Sequence, residues 1–203
     1  MSPASKKNPE ETRKRLLKAA YEEIYLKGYQ AASLSAILKG AGVTKGALYH
    51  HFPNKQALGY AVVEEVLQEE FSQSFLRFMF EKDDFVEGFQ YALVKGEEIE
   101  GEDLVVKGCP LNNLIHEMSP IDEGFRTRLD GVLQWVLTTF TQAIRNAQKK
   151  GQVRQDVNAE ETALFIFAAM EGCVGLSKNA QSMEIFGRCS KSLAHYVQML
   201  RPS

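Results

Sequence analysis

A chain of 203 residues, 44% hydrophobic and 25% charged, has the length for one ordinary domain or two small ones and enough apolar side chains for a packed core. Its longest apolar runs, such as Ala163 to Met170, fall far short of the roughly 18 residues of a membrane span, and the polar start from Met1 to Lys14 has no secretory apolar stretch, so a cytoplasmic location is expected. Net charge is -2, but residues 1–55 hold ten Lys/Arg against four Asp/Glu and the rest 14 against 22, so a basic first quarter precedes an acidic remainder and a polyanion is its economical partner.

The predicted elements are helices throughout, giving an all-α chain. After a polar stretch from Met1 to Asn8 that is expected to fray, Leu16, Leu17, Ala20, Tyr21 and Ile24 recur at three- and four-residue steps between Pro9 and Lys27, and Gly28 stops that helix. Ser33 can cap a second helix through Leu34, Ile37 and Leu38, which ends at the turn Gly40-Ala41-Gly42. Thr44 can cap a third running to about His51. Pro53 stops it, and Asn54 caps a fourth that could run from Gln56 to about Phe80. Further helical patterns cover Phe85 to Glu100, Pro110 to Met118, Glu123 to Lys150, Ala159 to Lys178 and Met183 to Leu200, with no convincing strand and no fixed-period repeat.

The second and third helices, with Ile37, Val43 and Leu48 facing the first, make a helix-turn-helix whose second member is too short to be stable alone. On that third helix Thr44, Lys45, Ala47, Tyr49 and His50 point mainly away from the apolar face, at the end where recognition helices meet base edges. Lys45 can bond guanine, Ala47 can touch a thymine methyl, and Thr44, Tyr49, His51 and Lys55 can bind phosphates.

The run LSAILKGAGVTKGALYHHFPNKQAL, preceded by TRKRLLKAAYEEIYLKGY, resembles the N-terminal DNA-binding domain of TetR-family transcriptional regulators over about Thr12 to Leu58. The resemblance implies a homodimeric repressor of a pseudo-palindromic operator, with residues 1–55 binding DNA and residues 56–203 forming an all-helical effector-binding and dimerisation domain. It places DNA contacts on Ser33, Ser35, Thr44, Lys45, Gly46, Ala47, Tyr49, His50, His51 and Lys55.

In the second half, GCPLNNLIHEMSP is the most chemical segment. Pro110 suits the first helical position, which makes Cys109 the N-cap beside the free N–H groups of Leu111 and Asn112, an environment that lowers a thiol pKa. The segment is similar to the corresponding stretch of TetR-like repressors that sense electrophiles or oxidants through cysteine. His116 lies two turns along the same face and would allow a Cys-His pair, Lys178 could neutralise a thiolate, and aromatics such as Trp135 and Phe165 would line an effector cavity with Cys109 and Asn112. Cys173 and Cys189 sit on apolar faces and read as packing. Three cysteines at wide spacings fit reduced thiols, and neither a metal site nor a cofactor is expected.

The last two helices carry wide apolar faces, one with Ala163, Phe167, Met170 and Val174 beside Ala168, Glu171 and Gly175, the other with Phe186, Leu193, Tyr196, Val197 and Leu200, suited to pairing with a second copy. Two other classes stay open on these residues. A cysteine-dependent enzyme would use Cys109 and His116, although no phosphate loop or triad accompanies them; an architectural DNA binder would want basic charge throughout, against the acidic body.

Overall fold

The computed structural model describes residues 9–202, and every regular element among them is helical. In chain order these are α1 (Pro9–Lys27), α2 (Leu34–Ala41), α3 (Lys45–His51), α4 (Lys55–Glu65), α5 (Leu67–Phe71), a π-helical turn (Ser72–Leu76), α6 (Arg77–Met79), α7 (Phe85–Lys107), α8 (Pro110–Met118), α9 (Glu123–Lys149), α10 (Ala159–Ala180) and α11 (Met183–Gln198). The fraying expected of Met1 to Asn8 lies outside the described residues. No helix among those described is long and apolar enough to cross a membrane.

Local chemistry explains most boundaries. Thr44 caps α3 by accepting from Ala47 N at 3.3 Å, and Asn54 caps α4 by accepting from Ala57 N at 2.7 Å. Gly42 closes α2 at φ +60°, a conformation that L side chains rarely adopt. Ser33 stands at the N-cap of α2 but does not cap it; its hydroxyl pairs with Ser35 Oγ at 2.7 Å instead. The single fourth helix expected to reach Phe80 is also corrected. The chain turns at Val66 and widens to a π-helical turn closed by Arg77 N–H on the Ser72 carbonyl. That wider turn brings Phe71 and Phe75 into a stack at 5.8 Å and sets Phe75 against Phe89 at 5.4 Å, so core packing overrides the regular pattern.

The chain divides into two compact units. The first comprises residues up to Gln68 with Asn113–Leu129, and the boundary expected after residue 55 falls inside it. Its core joins Leu16, Leu17 and Ile24 of α1 to Ile37, Leu48, Leu58, Val62 and Phe125. Two polar latches fix its turns. Arg15 donates to the carbonyls of Ala41 and Gly42, each at 2.9 Å through Nε and Nη2 respectively, and so holds the end of α2. Glu117, near the end of α8, accepts from Tyr29 N and Gln30 N, both at 2.8 Å, and so holds the turn that follows α1.

The second unit comprises Glu69–Asn112 and the chain from Asp130 on. Phe75, Phe85, Phe89 and Phe140 form its aromatic centre, and Arg201 closes it with two bonds to Asp84 at 3.0 and 2.8 Å. Ala163, Phe167, Phe186, Leu193, Val197 and Leu200, read from sequence as a face for a second copy, are buried within this unit. Other members of that expected face do reach the surface, Ala168 and Gly175 exposed and Met170, Val174 and Tyr196 half-buried, and the large exposed apolar residues nearby include Leu164, Phe165, Leu176, Met183 and Met199. An apolar stripe satisfies its own core first, and only the remainder is left to a partner.

Candidate nucleic-acid interface and buried thiol site

Helix α3 has seven residues, too few to persist unaided, and the buried side chain of Leu48 pins it to the first unit. Around that anchor Thr44, Lys45, Gly46, Tyr49 and His50 are exposed, while Ala47 and His51 are half-buried. Lys45 Nζ lies 5.8 Å from the Tyr49 ring, which gathers a cation and an aromatic donor on the presented face. Burial, followed by His50 and Arg13, pushes the His51 imidazole below its usual value, which favours the uncharged ring in the free chain. Ser33 and Ser35 stand at the start of α2 with their hydroxyls bonded to each other.

Lys55, expected as a phosphate contact, also has a structural part. Its ammonium donates to Gln30 O at 3.1 Å and lies 4.8 Å over the Tyr29 ring, and burial lowers its pKa. One N–H thus fastens α4 to the turn after α1, and two N–H groups remain.

The N-cap geometry expected at Cys109 is present, with the backbone N–H groups of Leu111 and Asn112 drawing the thiol pKa down, yet the net shift has the opposite sign. Dense surroundings come first and the Glu171 carboxylate second, and together they hold the pKa well above the usual cysteine value. Cys109 is therefore a protonated thiol at neutral pH, which corrects the thiolate expectation. Local N–H groups are outweighed by desolvation and a like-signed neighbour.

The other expected effector residues have different surroundings. Asn112 is half-buried and offers its backbone N–H to Cys109. His116 is exposed and belongs to the first unit, so the side chain beside the thiol is Glu171 rather than an imidazole. Trp135 packs edge-on against Phe71 at 6.4 Å inside the second unit. Phe165 is 53% exposed and pairs with Tyr196 at 4.8 Å on a surface groove. Lys178 is half-buried in the last turn of α10.

Glu171 is the residue the sequence reading passed over. The sequence reading names it only as part of a helix face suited to a second copy and gives it no chemical role. Its Oε2 is buried with no hydrogen-bond partner among the described residues, and burial raises its pKa to about 7. Because the folded value exceeds that of the unfolded chain, the protonated carboxyl favours folding at low pH, and this contribution is lost as pH rises through about 7. Thermal midpoints are expected to fall between about pH 5 and pH 8, and Glu171→Gln, uncharged throughout, is expected to flatten that slope. Equal slopes for the two proteins in calorimetry would remove the assignment.

Comparison with known proteins supplies the family. The sequence model described as "Bacterial regulatory proteins, tetR family" matches residues 16–62, and "Tetracyclin repressor-like, C-terminal domain" matches residues 97–193. The chain is 30% identical over 166 residues to transcriptional regulator AcuR of Cereibacter sphaeroides, covering 78% of this chain and 73% of that one. It is 24% identical over 180 residues to the HTH-type transcriptional repressor DhaR of a Mycobacterium species, covering 86% and 87%. The crystal structure of a TetR transcriptional regulator from Chloroflexus aurantiacus superposes with a TM-score of 0.81 at 25% identity, covering 94% of this chain and 96% of the other. A helix-turn-helix that presents Lys45 and Tyr49, followed by a second family domain in the same order, fits these matches, and the chain belongs to the TetR family of bacterial transcriptional regulators.

Proposed function

We propose that this regulator is a cytoplasmic homodimeric repressor, not an enzyme, whose two α3 helices enter adjacent major grooves of a pseudo-palindromic operator and which a small effector releases. The carrying observation is the presentation of α3: Leu48 is fully buried while Lys45, Tyr49 and His50 face outward from the same short helix. One such helix reads too few base pairs for a useful site, so a second copy supplies the other half at the roughly 34 to 36 Å spacing of successive grooves. Leu164, Phe165, Leu176 and Met199 provide the exposed apolar surface for that copy. The repressor sign is supported by DhaR, which is named a transcriptional repressor.

The effector is best placed in the second unit near Cys109 and Glu171. A buried carboxylate oxygen without a donor is a group that a ligand's N–H or O–H would satisfy. A protonated thiol beside it favours noncovalent occupancy over attack on an electrophile.

The direct test is Lys45→Ala, which is expected to cost roughly 1 to 3 kcal/mol of discrimination at one base position of each half-site and to leave preferences elsewhere intact. Anisotropy titrations against a panel of singly substituted operators at fixed salt read this out. An unchanged preference at every position would remove α3 from the base-reading role.

A further inference from the structure

Cys109 and Glu171 belong to a larger cluster in the second unit. Phe167 lies one turn before Glu171 on α10, and a helical side chain leans back toward the N-terminus of its helix, so the Glu171 carboxylate reaches over the turn that carries Phe167. The Phe167 ring stands edge-on to Phe71 at 6.3 Å, and Phe71 stands edge-on to Trp135 at 6.4 Å, so α5, α9 and α10 each set one ring into a common aromatic group. The carboxylate also accepts from the Cys109 thiol. Its Oε2 is buried with no hydrogen-bond partner among the described residues, while Phe71, Trp135, Cys109 and Glu171 are each half-buried rather than sealed.

We infer that the effector is an organic ammonium ion, an N–H-bearing cation on an apolar body, which donates to Glu171 Oε2 and lays that body against Phe71, Trp135 and Phe167. The inference rests on the placement of the effector near Cys109 and Glu171 proposed above and names the chemistry of that ligand. A buried acceptor oxygen without a donor selects a ligand that carries an N–H or O–H. Charge then selects among the donors, because a carboxylate away from water is stabilised more by a hydrogen-bonded cation than by a neutral hydroxyl. The rings add to the preference, since their negative faces attract a cation. A carboxylate ligand would meet a like charge and bring no donor at neutral pH. A quaternary ammonium would bring the charge without an N–H and leave Oε2 unpaired.

Binding is noncovalent, and its proton balance follows from the carboxyl. Burial, the larger influence, and the Cys109 thiol set the Glu171 ionisation, and burial raises its pKa to about 7. The empty site is thus divided between acid and anion near neutral pH, and a bound ammonium fixes the anion and sends the displaced proton to solvent. Cys109, held well above its usual value, keeps its proton throughout. As pH falls below about 7 the carboxyl takes up a proton and ammonium affinity falls; as pH rises through about 7 the affinity climbs to a plateau. An alkylammonium keeps its charge over this range, because such groups lose their proton only near pH ~10.

Trp135 is the one tryptophan of the sequence, so its emission reports on the site directly. The full chain is titrated with 3-phenylpropylammonium, its trimethylated quaternary form, 3-phenylpropanol and 3-phenylpropanoate, following Trp135 emission and, in parallel, operator release by anisotropy. The expected result is a saturable emission change with the primary ammonium binding about tenfold or more tighter than the alcohol, the gain of a charge-assisted hydrogen bond, and with the quaternary form and the carboxylate weaker than the primary ammonium. Glu171→Gln, checked for folding by circular dichroism, should bring the ammonium and the alcohol to nearly equal affinity. The unsubstituted chain gives a second reading that needs no variant: ammonium affinity should rise from pH 6 to pH 8 while alcohol affinity does not. Alcohol or carboxylate binding as tightly as the ammonium, and releasing operator, would overturn the ammonium class and leave a small-effector repressor in place. An ammonium preference that survives Glu171→Gln, or no saturable response to any of the four, would overturn the inference as well. Ammonium binding that depends on Glu171 but leaves the operator bound would support the site and remove the release reading instead.

Discussion

Leu176→Glu is expected to leave the chain folded but single and to weaken operator binding by about 10²- to 10⁴-fold, the gain that two linked half-sites share. Leu176 is 64% exposed on α10, and an added Cβ at the nearby Gly172 or Gly175 would meet nothing within 4 Å. That surface is open in one copy and suited to close approach by another. A carboxylate placed there would be stripped of water on pairing, which opposes the contact without touching α3. Phe186→Glu is the instructive contrast, because Phe186 is buried in its own unit and a charge at that point should unfold the chain. Light scattering beside anisotropy titration separates the two outcomes. A Leu176→Glu protein that stays paired and binds operator at full strength would move the contact surface elsewhere.

Glu117→Ala carries the second large effect. Its carboxylate gathers the Tyr29 and Gln30 N–H groups, and an added Cβ at Gly28 would lie 2.8 Å from Glu117 Oε2, so the chain passes close beneath it. Removing the acceptor leaves two donors at the turn where α1 ends, at a cost of about 1 to 3 kcal/mol in unfolding free energy. Operator affinity should fall with it, because that turn sets the start of α2 and hence the bearing of α3. Glu117→Gln keeps one acceptor oxygen and should lie between the parent and the alanine variant. Denaturant melts and operator titrations that show no change in either variant would dismiss the latch.

The parts legible in the sequence are those set by near neighbours. Thr44 and Asn54 cap as written because the acceptor and the N–H it serves are three residues apart. Ser33 fails the same rule because Ser35, two residues on, competes for its hydroxyl. The N–H groups beside Cys109 were legible for the same local reason, whereas the burial that decides the sign, and the Glu171 carboxylate that adds to it, come from packing against distant elements. The fourth helix reads as continuous because nothing in its residues signals a π turn; stacking of Phe71 on Phe75 does. Helices α10 and α11 carry apolar residues on more than one side, and only the packed unit distinguishes the side facing inward, with Phe186 and Val197, from the side facing out, with Leu176.

The way α3 is fastened also bears on how operator preference can change over time. Leu48 alone carries its burial, while Lys45, Gly46, Tyr49 and His50 are exposed and place little of their surface in the core. Substitutions at such surface positions typically alter stability by no more than about 0.5 kcal/mol. Recognition and folding are thus nearly separable along seven consecutive residues. A lineage carrying this helix can explore new operators by drift at the outward positions, with Leu48 held constant and no compensating change required elsewhere in the chain.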